Sequence, residues 1–459
     1  PQNRLERILK IIIAGGGKVG VTLIRQLSSE GYDLTLIDSE QSVLEATMEK
    51  YDVMAVNGNC ATMDALIYAG IKNADLLIAA TSADEINLLC CMTAHSINPR
   101  LHTIARIRNP EYSDQIYKMS DLFALSLTVN PEKQAAIEIE RLLKFPGFLK
   151  RDTFAKGRVE IVELKITDKS RLCNVPLNDL QTIVKCRVLV CTVLRDGVAT
   201  APGGNFILRE GDRIFVTAPT NNLATLLRNL GIITRKVSRV IICGGGRVSY
   251  YLAQRLLKSG ITVQIIEKNY DRCLQLSDML PEASVIHGDA SNQTLLESEG
   301  IFDCSAVASL TGLDELNMII SLYANSCGVP QIITKVGHIN TGRITDTLPL
   351  GSIISPKELC ANIIVRYVRA MQNHTGAAVS VHSIADGQVE ASEFVVDDTT
   401  LHCGEPLKTL KLRKNVLIAC ITHGNSTEIP DGNSSFVVGD TVIIVSGNNI
   451  IHNINEIFI

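Results

Sequence analysis

The 459-residue sequence contains no tryptophan, and aromatic residues make up only 4% of it. This scarcity argues against the aromatic platforms on which proteins stack nucleobases. Basic and acidic residues nearly balance, at 44 and 48, so the strongly basic composition typical of nucleic-acid-binding proteins is missing as well. We therefore expect no nucleic-acid partner.

Long apolar segments are also missing. No window of about 18 residues is free of charged and turn-forming residues, so no helix is predicted to cross a membrane. The first ten residues, PQNRLERILK, are charged and lack the apolar core of a signal peptide. The 13 cysteines include no C-x-x-C pair. We expect reduced thiols, used as small buried residues, in an intracellular protein.

What the sequence does contain is an internal repeat at an offset of half its length. The segment IIIAGGGKVG at 11–20 returns as VIICGGGRVS at 240–249, and the pattern D-E-x-N at 84–87 returns at 314–317. A weaker unit, APGGNFILREGDRIFV at 201–216, returns as IPDGNSSFVVGDTVII at 429–444. The chain is therefore organised as an N lobe, a C lobe, and then a second copy of each.

The N lobes alternate short apolar runs with helical patterns, which is typical of a parallel sheet with helices on both faces. Strands in the first lobe are predicted at 11–14, 34–38, 53–57, 76–80 and 102–106, with a further apolar run at 123–129. The C lobes show alternating strands and turn signals. The predicted fold class is α/β, with two tandem Rossmann-like parallel-sheet domains, each followed by a small α+β lobe.

These patterns divide the chain into six segments. A chain of this length is expected to fold as several domains. The N lobes are assigned to 8–130 and 236–354, and the C lobes to 157–232 and 375–459. Connecting helices with their linkers occupy 131–156 and 355–374. Each connecting helix is predicted to follow a proline, Pro131 or Pro356, over about 132–143 and 357–369.

The first glycine-rich segment has the spacing of a dinucleotide-binding turn. Gly15-x-Gly17-x-x-Gly20 follows a strand and opens a helix, and Asp38 ends the next strand. Glycines at these places allow a tight turn and close approach of a pyrophosphate to the helix N-terminus. Asp38 would accept hydrogen bonds from ribose hydroxyls and repel a 2′-phosphate, which favours NAD or adenosine nucleotides over NADP. The alternative is a glycine-rich turn kept for packing.

The second segment departs from this pattern. It contains Gly244 and Gly246 but has Ser249 in place of the last glycine, and Glu267 takes the acidic position. Arg247, inside the segment, would add a phosphate contact. We predict a second nucleotide site here, and the alternative is a structural pseudo-repeat. Neither segment is a P-loop, because no Gly-Lys-Ser/Thr follows.

Polar residues that follow other strands complete the predicted sites, because open α/β sheets bind ligands at the carboxyl ends of their strands. Arg106 with Arg108, and Lys335 with His338, would supply positive charge for a diphosphate. The residues predicted for the first site are Gly15, Gly16, Gly17, Lys18, Val19, Gly20, Asp38, Asn57, Gly58, Thr81, Ser82 and Arg106. Those predicted for the second are Gly244, Gly245, Gly246, Arg247, Val248, Glu267, Gly288, Asp289, Thr311 and Lys335.

Catalytic machinery is not recognisable in the sequence. The nine histidines are dispersed without the spacing of metal ligands, and no G-x-S-x-G or Cys/His nucleophile pattern occurs. A hydride-transfer enzyme would need an acid/base group facing the nicotinamide. We predict a binding protein without catalytic residues or a metal site. An NAD-dependent oxidoreductase with duplicated cofactor domains is the alternative.

Taken together, these motifs closely resemble the TrkA family, the cytosolic regulatory subunits of bacterial and archaeal Trk potassium-uptake systems. The resemblance rests on the two glycine-rich segments with Asp38 and Glu267, the stretch TIARIRNPEY at 103–112, the Asn-Pro helix start and the P-G-G-N…G-D signature. It covers essentially the whole chain as two tandem RCK (KTN) units, each with a nucleotide-binding N lobe and a C lobe.

The resemblance implies a peripheral protein on the cytoplasmic face of the plasma membrane, which contacts the membrane only through a TrkH- or TrkG-like potassium-translocating subunit. It further implies binding of NAD(H) and of ATP or ADP, and self-association to a dimer or a tetrameric ring whose shape gates the pore. A nucleotide sensor that regulates another ion or solute transporter is the alternative.

Overall fold

The computed structural model describes residues 8–144, 148–230, 237–337, 348–372, 378–447, 451 and 453–459. The chain divides into two units. Unit 1 contains residues 1–137, 246–252 and 355–368, and unit 2 contains residues 138–245, 253–354 and 369–459. Each unit therefore includes segments from both halves of the sequence repeat.

Six parallel strands form the sheet of the first N lobe, in unit 1. The strands are β1 (Lys10–Ala14), β2 (Asp33–Asp38), β3 (Met54–Asn57), β4 (Leu76–Ala79), β5 (His102–Arg106) and β6 (Leu127–Val129). The helices are α1 (Lys18–Ser28), α2 (Gln41–Met48), α3 (Met63–Tyr68), α4 (Asp84–Ile97) and α5 (Pro110–Lys118). The strand order β3-β2-β1-β4-β5-β6 reverses between β1 and β4, which creates a crevice at the carboxyl ends of these two strands.

The burial pattern explains why these segments form a central parallel sheet. Ile11, Ile12, Ile13 and Ala14 of β1 are each at most 2% exposed, as expected for a strand covered on both faces. Only the last three residues of the apolar run predicted at 123–129 form a strand, which is β6. Ala124 adopts a left-handed φ of 53°, so the chain turns before β6 begins.

The first C lobe, in unit 2, follows a connecting helix, α6 (Pro131–Lys144), and is built on an antiparallel sheet of order β10-β9-β11-β8-β7. Its strands are β7 (Lys150–Phe154), β8 (Val159–Lys165), β9 (Leu189–Arg195), β10 (Val198–Thr200) and β11 (Arg213–Pro219). Its helices are α7 (Leu180–Val184) and α8 (Leu223–Asn229). This lobe has the predicted α+β composition.

The second N lobe repeats the first, with the parallel order β14-β13-β12-β15-β16-β17. Its strands are β12 (Arg239–Cys243), β13 (Thr262–Glu267), β14 (Ser284–His287), β15 (Ala306–Ser309), β16 (Gln331–Lys335) and β17 (Ser352–Ile354). The helices are α9 (Arg247–Lys258), α10 (Tyr270–Met279), α11 (Gln293–Ser298) and α12 (Asp314–Ser326). The predicted pair of Rossmann-like sheets is therefore confirmed.

A second connecting helix, α13 (Pro356–Gln372), leads to the last antiparallel sheet, of order β18-β19-β22-β20-β21. Its strands are β18 (Ala378–Ile384), β19 (Val389–Val395), β20 (Val416–His423), β21 (Ser426–Glu428) and β22 (Thr441–Gly447). Both connecting helices begin at the proline itself, one residue before the predicted start. The described part of this C lobe contains short 3₁₀ turns and no α-helix.

The two antiparallel sheets share one hydrophobic core within unit 2. It contains Phe154, Ile161 and Phe215 from the first C lobe together with Ala391 and Ile443 from the second, each at most 1% exposed. Burial of apolar area at about 25 cal/mol per Å² makes such a core the main favourable contribution to the association of the sheets.

The Gly-Asp pairs of the C lobes have a structural role. Asp212 is 1% exposed and accepts hydrogen bonds from Arg195 Nη2 and from the backbone N–H of Arg209, both at 2.7 Å. Asp440 accepts a hydrogen bond from the backbone N–H of Val437 at 2.7 Å. Each aspartate therefore closes the turn in front of a core strand.

The connecting helices pack on the N lobe of the opposite half. In unit 1, Arg25 of α1 donates to Glu358 of α13 at 2.7 Å. In unit 2, Arg255 of α9 donates to Glu140 of α6 at 2.5 Å, and Gln331 of β16 donates to the carbonyl of Leu142 at 2.7 Å. The predicted limits of the lobes remain predictions, and residues 145–147, 231–236 and 373–377 near them lie outside the described part of the chain.

Glu138 of α6 titrates in an unusual range. Its side chain is 13% exposed and accepts a hydrogen bond from Arg141 Nη1 at 3.0 Å. Burial raises the pKa of its carboxyl group from 4.5 to about 7, although the charge of Arg141 partly opposes this shift. Between pH 4.5 and about 7, folding is therefore accompanied by the uptake of a proton at Glu138.

We expect Glu138→Gln to remove part of the pH dependence of stability. Because the folded-state pKa lies above the unfolded value, the contribution of Glu138 is complete below pH 4.5 and is lost as the pH rises through about 7. The loss is at most about 3 kcal/mol. Urea unfolding between pH 5 and 8 measures it, with the exposed Glu49→Gln as control. An unchanged pH profile in Glu138→Gln would refute the assignment.

Candidate functional site

The turn after β1 requires glycine. Gly15 has a φ of 102°, and its N–H donates to the carbonyl of Ile37 at 2.8 Å. A Cβ atom on Gly15 would lie 2.9 Å from the backbone of Thr81, and one on Gly20 would lie 1.9 Å from the Gly15 carbonyl oxygen. Any larger residue would push apart the end of β4, the turn and the first turn of α1.

Asp38, at the end of β2, is bonded to the same turn. Its Oδ2 accepts the Gly16 N–H at 2.6 Å, and its Oδ1 accepts the Glu40 N–H at 2.9 Å. The Gly58 N–H donates to the Asp38 carbonyl at 3.0 Å. Since each carboxylate oxygen has two acceptor positions, the side chain keeps capacity for two ribose hydroxyls.

The start of α1 offers backbone donors to an anion. Gly17 precedes the helix with extended backbone, and no side chain caps the first N–H groups. Gly17 and Lys18 are exposed, while Val19 is buried beneath them. Uncapped N–H groups together with the helix dipole favour a bound phosphate.

A buried asparagine joins the ends of β4 and β5. Asn87 of α4 is 0% exposed, and its Oδ1 accepts both the N–H of Thr81 at 2.8 Å and the Thr81 hydroxyl at 2.7 Å. Its Nδ2 donates to the carbonyl of Arg106 at 2.8 Å. The amide therefore fixes the backbone of two predicted site residues at the mouth of the crevice.

Arg106 supplies a positive charge at this point. Its Nη2 donates to the carbonyl of Thr81, and its Nε is buried and makes no hydrogen bond within the described residues. Burial is the main cause that lowers the pKa of Arg106, followed by the charge of Arg108. Arg108 donates to the carbonyl of Ser82 at 2.6 Å. A buried guanidinium N–H without a partner is uncommon in folded proteins.

The structure therefore brings the predicted first-site residues to one edge of the sheet, at the carboxyl ends of β1 to β5. Asn57 is exposed at the rim of this edge, where its Nδ2 donates to the carbonyl of Ser39 at 3.3 Å. Gly15 follows β1, Asp38 ends β2 and Arg106 ends β5, so the acidic and basic groups lie at opposite ends of the crevice.

The second N lobe builds the same turn. Gly244 has a φ of 98°, its N–H donates to the carbonyl of Ile266 at 2.8 Å, and its Cβ would lie 2.9 Å from Thr311 Cα. The position and the hydrogen bond match those of Gly15 in the first lobe. The repeat in sequence is thus a repeat in local geometry.

Glu267 takes the place of Asp38 in this lobe. Its Oε2 accepts the Gly245 N–H at 2.6 Å, and its Oε1 accepts the Asn269 N–H at 2.7 Å. The Gly288 N–H donates to the Glu267 carbonyl at 2.9 Å. The longer acidic side chain therefore makes the same set of bonds.

The far end of the second crevice carries a lysine. Asn317 is 0% exposed, accepts the N–H of Thr311 at 2.8 Å and donates to the carbonyl of Lys335 at 3.0 Å. The Lys335 Nζ donates to the carbonyl of Leu310 at 3.1 Å. A single ammonium group thus stands where the first lobe has two guanidinium groups.

Asp289 is already engaged by its neighbours. It lies 2.8 Å from Lys268 Nζ and accepts hydrogen bonds from the backbone N–H and hydroxyl of Ser291. The hydrogen bond from Lys268 is the main cause that lowers the pKa of Asp289 to about 2. Its carboxylate is therefore ionised at neutral pH.

The remaining predicted residues of the second site follow Gly245 directly in the sequence. Gly246 and Arg247 are exposed, whereas Val248 and Ser249 are buried at 5% and 0% exposed. Ser249, at the position of the third glycine, is therefore fully buried. His338, which the sequence suggested as a partner for Lys335, lies outside the described residues.

Two kinds of site residue escaped the sequence reasoning. The repeat pattern contained Asn87 and Asn317, but their bonds between two strands depend on tertiary structure. Arg272 was also missed, although its Nε donates to the Gly245 carbonyl at 2.8 Å. A comparison of the residues that follow each acidic position would have found it, because Val43 stands at the matching place.

No described helix is long and apolar enough to cross a membrane. No group of three or more histidine, cysteine or acidic side chains in the described residues could hold a metal ion. Of the 13 cysteines, nine are buried and four are partly buried, in keeping with the predicted packing role.

Comparison with known families identifies both kinds of lobe. The TrkA-N domain family model matches residues 11–125 and 240–356. The TrkA-C domain family model matches residues 161–231. Together these matches span more than half of the chain, and they include both glycine-rich turns.

Relatives match over nearly their full length. The Trk system potassium uptake protein TrkA homolog of Archaeoglobus fulgidus is 31% identical over 451 residues, which cover 98% of this chain and 100% of the relative. The Trk system potassium uptake protein TrkA of Haemophilus influenzae is 30% identical over 449 residues, 95% of each chain.

Among solved structures, the fold is similar to that of the GsuK RCK domain. That structure superimposes with a TM-score of 0.61 at 16% identity and covers 98% of this chain and 94% of its own. The GsuK channel bound to NAD gives a TM-score of 0.61 at 17% identity and covers 98% and 78%. At such low identity the likeness concerns the fold.

We expect Asn87→Ala to loosen the crevice of the first N lobe. The substitution leaves the Thr81 N–H and the Arg106 carbonyl without their partner, at a cost of about 3 kcal/mol. Hydrogen exchange at the Thr81 amide measures the effect directly, and Asn317→Ala provides the matched test at Thr311. Unchanged protection of Thr81 in Asn87→Ala would contradict the proposed bond.

Proposed function

This chain belongs to the TrkA family, and from that premise we propose that it is the nucleotide-binding regulatory subunit of a potassium-uptake system. The observation that carries the proposal is the geometry that occurs in both N lobes. In each, an acidic side chain at the end of the second strand accepts the N–H of a glycine in the turn after the first strand, at 2.6 Å.

The first crevice fits an adenine nucleotide. Asp38 would accept the ribose hydroxyls, and the uncapped N–H groups at the start of α1 would hold the phosphates. Arg106, whose buried Nε lacks a partner within the described residues, would receive the far end of the ligand. That end is a terminal phosphate in ATP or ADP and the nicotinamide half in NAD(H).

The second crevice would hold a nucleotide in the same manner through Glu267, with Lys335 at its far end. NAD(H) and ATP or ADP are the ligands we propose. Two facts about other proteins support them: the GsuK channel has been solved bound to NAD, and GsuK has been solved bound to ADP.

Regulation would follow from the way each ligand differs at the basic end of the crevice. A ligand shifts a conformational equilibrium only through its different affinities for the two states. Arg106 binds a terminal phosphate and a nicotinamide ribose with different strength, so ATP and NAD(H) would favour different arrangements of the N lobes. The proposal requires no catalytic residue.

We propose a TrkH- or TrkG-like membrane subunit as the partner, contacted from the cytoplasmic side by a dimer or tetrameric ring of this protein. Support comes from the family, whose curated members are named for the Trk potassium-uptake system. Changes in the shape of the ring would then open or close the potassium path.

Calorimetric titration of ATP, ADP, NAD and NADH into the purified chain tests the binding step. We expect up to two nucleotides per chain, since both crevices carry the acidic residue and the glycine turn. Binding of none of the four ligands would overturn the proposal. Co-purification with the membrane subunit then tests the partner.

Arg106→Ala should weaken the binding of ATP by about ten-fold and leave the binding of adenosine nearly unchanged, because a charge-assisted hydrogen bond to phosphate is lost. The exposed Arg100→Ala, in the same lobe, is the control for loss of a cation alone. Equal losses of ATP and adenosine affinity in Arg106→Ala would rule out the phosphate contact.

A further inference from the structure

The two N lobes differ in charge directly after their acidic residues. The segment DSEQSV at 38–43 carries two acidic and no basic side chains, whereas EKNYDR at 267–272 carries two of each sign. In dinucleotide-binding folds, this region faces the adenosine ribose and decides whether a 2′-phosphate is tolerated. The two crevices therefore differ in the charge beside the position of the adenosine ribose, and binding of nucleotides with and without a 2′-phosphate can reveal this difference.

Arg272, in the first turn of α10, is held against the glycine turn. Its Nε donates to the Gly245 carbonyl at 2.8 Å, while the Gly245 N–H donates to Glu267 at 2.6 Å. The Gly245 peptide is thus bonded to a cation on one side and to an anion on the other. The guanidinium group consequently sits at the ribose end of the crevice.

The guanidinium group keeps hydrogen-bonding capacity for a ligand. Its Nη1 donates to Gln275 Oε1 at 3.1 Å, and its Nη2 makes no hydrogen bond to any described residue. Arg272 is half-buried, so part of its side chain is accessible from outside the fold. A planar guanidinium anchored through Nε suits the recognition of phosphate oxygens.

The hydrogen bonds of Glu267 do not distinguish it from Asp38. Both of its carboxylate oxygens accept backbone N–H groups, those of Gly245 and Asn269, and Asp38 makes the same pair of bonds in the first crevice. The difference lies in the neighbouring charges. A cation beside this carboxylate lowers the repulsion that an added phosphate would meet. The ribose end of the second crevice is therefore compatible with more negative charge than its acidic residue alone suggests.

The first crevice offers no such compensation. Val43 occupies the position of Arg272, and its Cγ1 lies 2.4 Å from where a Cβ on Gly16 would be, so an apolar side chain covers the turn. Glu40 adds a second negative charge next to Asp38. A 2′-phosphate would be repelled there.

We propose that Arg272 makes the second crevice a site for a 2′-phosphorylated adenine dinucleotide of the NADP(H) class, while the first crevice excludes it. The inference rests on the proposed function, because it assigns a ligand class to one of the two nucleotide sites. The chain would thus respond to the phosphorylated and unphosphorylated dinucleotides at different places.

Titration of NADH and NADPH into the full-length protein and into Arg272→Val tests the assignment. The wild type should bind NADPH at one crevice and NADH at both. Arg272→Val, which installs the residue of the first lobe, should raise the Kd of NADPH about ten-fold and that of NADH less than about three-fold. Arg272→Lys should keep part of the NADPH affinity. Lys258→Val, at an exposed position, should change the Kd of neither ligand.

The outcomes separate this inference from the proposed function. Wild-type binding of NADH without NADPH would overturn the inference and leave the proposed function standing. An equal loss of NADH and NADPH affinity in Arg272→Val would also overturn it, since Arg272 would then contact a part of the molecule that both ligands share. Binding of neither ligand by the wild type would overturn the inference, and the proposed function would fall as well only if ATP, ADP and NAD also failed to bind.

Discussion

The glycine turn after the first strand of each N lobe is the constraint on which the rest of the site depends. Gly15 and Gly244 adopt φ values of 102° and 98° within contact of the end of the fourth strand, where a Cβ atom has no space. This turn brings the next peptide N–H to the acidic residue of the second strand, and in the first N lobe it also points the first turn of α1 at the crevice. Replacing either glycine would separate these groups.

Buried polar side chains carry this local geometry into the sheet. Asn87 and Asn317 join the ends of the fourth and fifth strands, and so place Arg106 or Lys335 opposite the acidic residue. Water cannot reach these buried amides to replace their hydrogen bonds, so breaking the bonds is costly. The mouth of the crevice is therefore fixed before any ligand arrives. The two lobes share this frame and differ in the charges attached to it.

Much of this arrangement could be predicted because it depends on local patterns. The glycine spacing, the acidic residues Asp38 and Glu267 and the apolar strands all follow from short-range rules. The packing of α6 and α13 on the opposite N lobe could not be predicted, since it depends on contacts between residues as far apart as Arg25 and Glu358. The role of Arg272 was hidden for a similar reason: the contact with Gly245 joins two segments that are separate in sequence.

Potassium flux under defined nucleotides tests the central claim most directly. Vesicles containing a TrkH-like subunit, with this protein on the outside, would be assayed for rubidium uptake with and without ATP or NADH. Asp38→Asn/Glu267→Gln would serve as the variant altered at both acidic residues. The account predicts that nucleotide changes the flux with the wild type and has little effect with the variant. Equal flux with and without nucleotide, at concentrations that saturate binding, would contradict it.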